Sequence, residues 1–143
     1  MSTTPPTPTS PTSYRLTTAN ARTAPGVLRN LVATLLRSTG HDALAESARL
    51  CTSEVVTNVY RHTRTPLIHM EVAVSEASVT VWVHDDLPGV LPLQPVGRDG
   101  ESGHGLHLVE ACADQWGSAV RGGLKAVSKA VFFTLDEGGR GTL

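Results

Sequence analysis

"SEVVTNVYRH", residues 53–62, sets a glutamate, an asparagine and a histidine at intervals of four in an apolar helical pattern. Residues four apart are neighbours on an α-helix, so Glu54, Asn58 and His62 share one stripe. Val55, Val56 and Val59 fall between them. A solvated face more often mixes Lys, Arg and Glu with helix-favouring Ala or Leu. A polar stripe beside a core stripe instead fits a helix that lines a cleft. On these ten residues alone, ordinary surface positions fit as well, with His62 placed where a helix C-terminus favours a cation. The surrounding chain has to separate the two readings.

Upstream, Asp42 suits the cap of this helix. Leu44, Ala48, Cys51, Val55 and Val59 then follow in steps of four, three, four and four, and the helix should end near His62, with Pro66 beyond. A preceding helix is predicted from "PGVLRNLVATLLRSTG", residues 25–40. There Val27, Leu28, Leu31, Leu35 and Leu36 recur at helical spacing, Pro25 suits the first turn and Gly40 the end. Downstream, "LIHMEVAV" (67–74) and "SVTVWVHD" (78–85) alternate as strands, and "SEA" between them reads as a hairpin. "LHLVEACADQWG" (106–117) reads as a third helix, with Leu106, Val109, Ala113 and Trp116 inward and Gly117 as its stop. "YRLTTA" (14–19) suggests an entering strand, and "SAVRGG" (118–123) and "LKAVSKAVFFTLDE" (124–137) a closing pair. This order predicts an α+β fold, a two-layer α/β sandwich in which helices cover one face of a mixed β-sheet.

The chain has 143 residues, 40% of them hydrophobic, and a net charge of -1. One domain is expected, over residues 14–138. Residues 1–13 are Thr, Ser and Pro after Met1, and cannot bury enough surface to offset their ordering entropy, so they are expected to be disordered. Residues 139–143 are expected to form a flexible C-terminus. The charge gives no whole-chain field toward nucleic acid or anionic membrane, and neither is an expected partner. The two cysteines, Cys51 and Cys112, lie inside apolar helical patterns and read as buried reduced thiols. No apolar run is long enough to span a membrane and the N-terminus is polar, so a cytoplasmic protein is expected.

Two further features stand out. In the strand 78–85, Val79, Val81 and Val83 share a face and Asp85 is next on it. A carboxylate on an apolar face needs a donor. It either accepts from something bound or starts the turn toward Pro88-Gly89. Then comes "DLPGVLPLQPVGRDGESGHG" (86–105), too long for an ordinary connection and therefore expected to be functional. Its last glycines, Gly103 and Gly105, stand at the start of a helix, where backbone N–H groups and the helix dipole favour an anion. Neither a dinucleotide fingerprint nor a P-loop is present.

Taken in order, these pieces resemble the Bergerat-fold ATPases of the GHKL superfamily, over roughly residues 15–136. "LCTSEVVTNVYRH" is similar to the family's N box, "VHDDLPGVLP" to its first glycine box and "SGHGLHLVEACADQWG" to its second. The phrasing is most similar to the anti-sigma factor serine/threonine kinases. The resemblance implies ATP and Mg²⁺ as cofactors, with Asn58 as metal ligand and Glu54 as the group that orients or deprotonates the attacking hydroxyl. It implies that Asp85 accepts from the adenine amino group. Gly89 belongs to the first box, and Gly103, His104, Gly105 and Leu106 to the phosphate-holding second. His62 matches a recurrent position but is given no catalytic role. The implied partners are a sigma factor, a small antagonist protein, or both, and the family often forms homodimers. One position departs: Asp85-Asp86-Leu87-Pro88-Gly89 has Leu87 where the family often has its first glycine. A non-catalytic ATP-binding module that binds a transcription regulator is the alternative.

Overall fold

The computed structural model describes residues 11–85, 104–121 and 128–138. Most of the expected tail, the loop 86–103 and the residues 139–143 lie outside that set. Within it run β1 (Thr12–Ala19), α1 (Ala24–Ser38), α2 (Asp42–His62), β2 (Leu67–Val74), β3 (Ser78–Asp85), α3 (His104–Cys112), β4 (Gln115–Arg121) and β5 (Ser128–Asp136). The five strands form one sheet in the order β1-β2-β3-β5-β4, and the three helices lie on one face of it, as the two-layer sandwich requires.

The sheet is not mixed: every described pairing is antiparallel. The connections explain this. The helix pair α1–α2 carries the chain out and back, so β2 returns antiparallel to β1. The single helix α3 makes β4 run in the same direction as β3, but β5 inserts between them.

Alternation decides which side chains enter the core. Ile68, Met70, Val72 and Val74 of β2 point to the helices, as do Val79, Val81 and Val83 of β3 and Phe133 and Leu135 of β5. Against them lie Leu28, Val32 and Leu36 of α1, Leu44, Ala48, Cys51, Val55 and Val56 of α2, and Leu106 and Val109 of α3. The inward face of α1 is rotated from the expected one. Val27 and Leu31 are 44% and 43% exposed, while Ala24, Val32 and Ala33 are buried.

The ends of the helices follow local chemistry. Pro25 sits in the first turn of α1. At its end Gly40 has φ +86, His41 N–H donates to Leu36 O at 2.8 Å and Gly40 N–H to Arg37 O at 3.4 Å. This is a Schellman closure, in which glycine takes the left-handed position without penalty. Asp42 is the first helical residue of α2 and not its cap; His41 occupies that place without a side-chain capping bond. Asp42 therefore acts through its charge at the helix N-terminus.

Two boundaries differ from the sequence reading. β1 starts at Thr12, so Thr12 and Ser13 pair with Val74 and Ala73 instead of belonging to the tail. The third helix ends at Cys112, and Trp116 and Gly117 belong to β4. Strand pairing wins here because the β5 backbone captures the chain: Asp114 N–H donates to Thr134 O at 2.8 Å, and Asp114 Oδ2 accepts from Asp136 N–H at 2.7 Å. Trp116 still packs against the core, opposite Phe133. Gly117 is not a helix stop. A Cβ there would stand 3.1 Å from the Phe132 ring, so the missing side chain makes room for it.

Phe133 is the largest fully buried side chain. Replacing it with Ala should destabilise the protein by about 3–5 kcal/mol, measured by chemical denaturation.

Candidate functional site

One end of the sandwich collects most of the expected site residues. The connection from α2 to β2 is short, residues 63–66, so α2 runs opposite to β2 and finishes at the end where β3 also finishes. There Asp85 pairs with Ile68. By the same reasoning α3, which enters β4 through residues 113–114, runs antiparallel to α2, and its N-terminus lies at this end too.

The position of α3 along α2 can be set more closely. Cys112, its last residue, is near enough to Cys51 of α2 to act on its thiol electrostatically. From Cys112 back to His104 is roughly 12 Å of helix, and from Cys51 forward to Asn58 roughly 10 Å. With the two helices antiparallel, the first turn of α3 is turned toward the end of α2 that carries Asn58. The flank of α2 that carries Cys51, Glu54 and Asn58 faces α3.

Each side chain can now be described. Glu54 and Asn58 are half-buried. Among the described residues neither makes a side-chain hydrogen bond or ion pair, and both remain able to bind something between the helices. Glu54 is near enough to Cys51 to act on its thiol electrostatically. Asp85 is only 5% exposed and lies on the helix-facing side of β3, in line with Val79, Val81 and Val83. An ionised carboxylate at such a place is held by donors. His62 is exposed in the last turn of α2. Thr63 closes that helix, donating from both N–H and Oγ1 to Val59 O at 3.0 and 2.9 Å.

His104, Gly105 and Leu106 form the first turn of α3, where backbone N–H groups lack partners within the helix. The Leu106 side chain is buried in the core, so what this residue can offer a ligand is its backbone. Gly89 and Gly103 lie outside the described residues, as does Leu87.

Sequence reasoning missed Asn20. Its Nδ2 donates to Thr65 O at 2.8 Å and its N–H to Pro66 O at 2.9 Å, tying the end of β1 to the α2–β2 connection. Thr65 is buried beside it and donates from Oγ1 to Leu67 O at 3.1 Å. This clamp fixes the end of the sandwich where the site residues meet. Nothing local marks Asn20, because its partners lie more than forty residues away. Among the described residues no group of three or more His, Cys, Asp or Glu side chains could hold a metal. No described helix is long and apolar enough to cross a membrane.

A family model described as "Histidine kinase-like ATPase domain" matches residues 17–128. That span takes in both glycine-rich stretches and the whole of α2. No curated protein matches the chain.

Because Glu54 and Asn58 make no side-chain bonds among the described residues, Glu54→Ala and Asn58→Ala should each change stability by less than about 0.5 kcal/mol. Denaturant titration of both variants checks this. It also shows that any loss of binding or activity in them is not a loss of fold.

Proposed function

The chain belongs to the histidine kinase-like ATPase family, and from that membership we propose that it is an anti-sigma factor with ATP- and Mg²⁺-dependent protein serine/threonine kinase activity. Its substrate would be a hydroxyl on a small antagonist protein. Family membership supports ATP binding. The observation that carries the finer reading is the convergence, at one end of the sandwich, of a buried strand-end carboxylate, a Glu–Asn stripe and the first turn of a helix.

The residues present suit a magnesium nucleotide. Asp85 offers an acceptor in an apolar wall, which matches an exocyclic amino group and opposes a carbonyl at the same position. Asn58 offers a carbonyl oxygen in the last two turns of α2, toward the end of the sandwich where α3 begins. A single such ligand suffices for Mg²⁺, which keeps several waters and binds phosphate oxygens. The first turn of α3 presents N–H groups and positive dipole charge to an anion. When bound, the nucleotide supplies the phosphoryl group to be transferred.

The protein's own part is positioning and electrostatics. Glu54 sits one turn before Asn58 on the same stripe, where it can accept the proton of an incoming hydroxyl or hold that hydroxyl in line. Its side chain makes no bond within the described fold that would have to break first. Asp85 would hold the base end, and Asn58 and the first turn of α3 the phosphate end, of a bound nucleotide. Leu87 favours the second reading, a non-catalytic ATP-binding module that binds a transcription regulator, because it puts bulk where the family often has glycine.

ATP should bind and GTP should not, as read by titration calorimetry with Mg²⁺; equal affinities remove the role given to Asp85. Asn58→Ala should weaken metal-dependent ATP binding. Glu54→Ala should keep ATP binding but lower phosphotransfer to a partner protein by roughly 10²-fold or more. ATP binding without any phosphotransfer in the parent protein, across candidate partners, selects the regulatory module.

A further inference from the structure

The three helices lie on one face of the sheet, and the other face is formed by the residues between the core positions of each strand. On that second face three strands set Thr17, His69 and His84 in one row. Thr17 of β1 pairs with His69 of β2, and His69 pairs with His84 of β3. The two imidazole rings are stacked, with 5.4 Å between their centres and 29° between their planes. Thr17 Oγ1 stands 3.0 Å from His69 Nδ1. Neither histidine has a part in the proposed function. We infer that His69 and His84 form a chelating site for a divalent transition metal ion of the zinc type.

Imidazole is the ligand that such ions favour, and side chains directly opposite on antiparallel strands are close enough to share one ion. Metal–nitrogen bonds of about 2.0–2.1 Å at a tetrahedral angle place two ring centres roughly 5 Å apart. That is close to the 5.4 Å found here. Turning the rings about χ2, a soft torsion, brings one nitrogen of each to a shared point. Thr17 sets which nitrogen that is on His69. With Nδ1–H donating to Thr17 Oγ1, the lone pair lies on Nε2, and the hydroxyl also holds the plane of the ring.

The rest of the shell is water. Glu71, the next residue on this face of β2, is turned to Arg15, whose Nε lies 3.6 Å from its Oε2. Among the described residues no third His, Cys, Asp or Glu joins the pair, so the ion exchanges with solution. Mg²⁺, which takes oxygen ligands, does not suit two imidazoles. The site is also separate from the one proposed for the nucleotide. His84 and Asp85 are successive residues of β3 and point to opposite faces of the sheet. The ion ties β2 to β3 at the strand end that carries Asp85 on its other side.

The untagged full chain, stripped with a chelator, is titrated by calorimetry with Zn²⁺ in the absence of nucleotide, with and without Mg²⁺. Zn²⁺ should bind one-to-one, and Mg²⁺ should not compete. His69→Ala and His84→Ala should each abolish this binding. Thr17→Val should weaken it about tenfold, while Thr17→Ser should keep it. In the parent protein, the ring NMR signals of His69 and His84 should move with Zn²⁺ while those of the other four histidines stay in place, a readout that needs no variant to fold. Shifts at other histidines instead, binding that survives the loss of both His69 and His84, or the absence of one-to-one binding would overturn the inference. Because no nucleotide is present, the site stands or falls independently of whether the protein binds ATP.

Discussion

The burial of one side of α2 against the sheet constrains everything else in this protein. Ala48, Cys51, Thr52, Val55 and Val56 are all at or near zero exposure and form the buried side of the helix. Once that side is committed to the core, the neighbouring flank must carry Glu54 and Asn58, because helical geometry leaves them nowhere else to point. α1 covers the opposite flank, where Arg29 donates from Nη1 to Ser53 Oγ at 3.3 Å. α3 takes the side that bears the polar stripe. The placing of Glu54 and Asn58 beside the core is thus a consequence of how the core is filled.

The same constraint explains why one helix can be both structural and functional. Its apolar side supplies stability through area removed from water, on the order of 25 cal/mol per Å². Its polar flank contributes little to that, since Glu54 and Asn58 form no bonds inside the described fold. Half-buried, these two side chains can be satisfied by water, which a ligand could displace. Asp85 makes a related point from the sheet: the face that holds three valines ends in a carboxylate, where a fold serving stability alone would continue apolar.

Much of this was legible in the sequence, and the particulars show why. Steps of three and four from Leu44 to Val59 mark α2 to within a residue at each end, because burial of a helix face leaves a periodic trace. Alternation marks β2 and β3 equally well. The stop of the third helix was misread because Ala113, Trp116 and Gly117 continue a helical spacing. What ends α3 is the hydrogen bonding of residue 114 to β5, which has no local trace. The inward face of α1 was misread for a similar reason. Five apolar positions cover about half its circumference, and only contact with α2 and the sheet selects Leu28, Val32 and Leu36 over Val27 and Leu31.

By itself the sequence determined most of the elements, their order and the two-layer class, and it singled out the residues to which a role is proposed. Each of these depends on spacing along one segment or on the residue types at fixed intervals. Tertiary structure alone decided that the sheet is wholly antiparallel in its described pairings, with β5 between β3 and β4, since strand order is a choice among long-range partners. It alone decided that Asn20 clamps the end of the sandwich. It also brought the N-terminus of α3 to the end of the sandwich where α2 and β3 finish. Such pairings join segments tens of residues apart, and their free energy comes from burial shared between both partners, which neither segment records on its own.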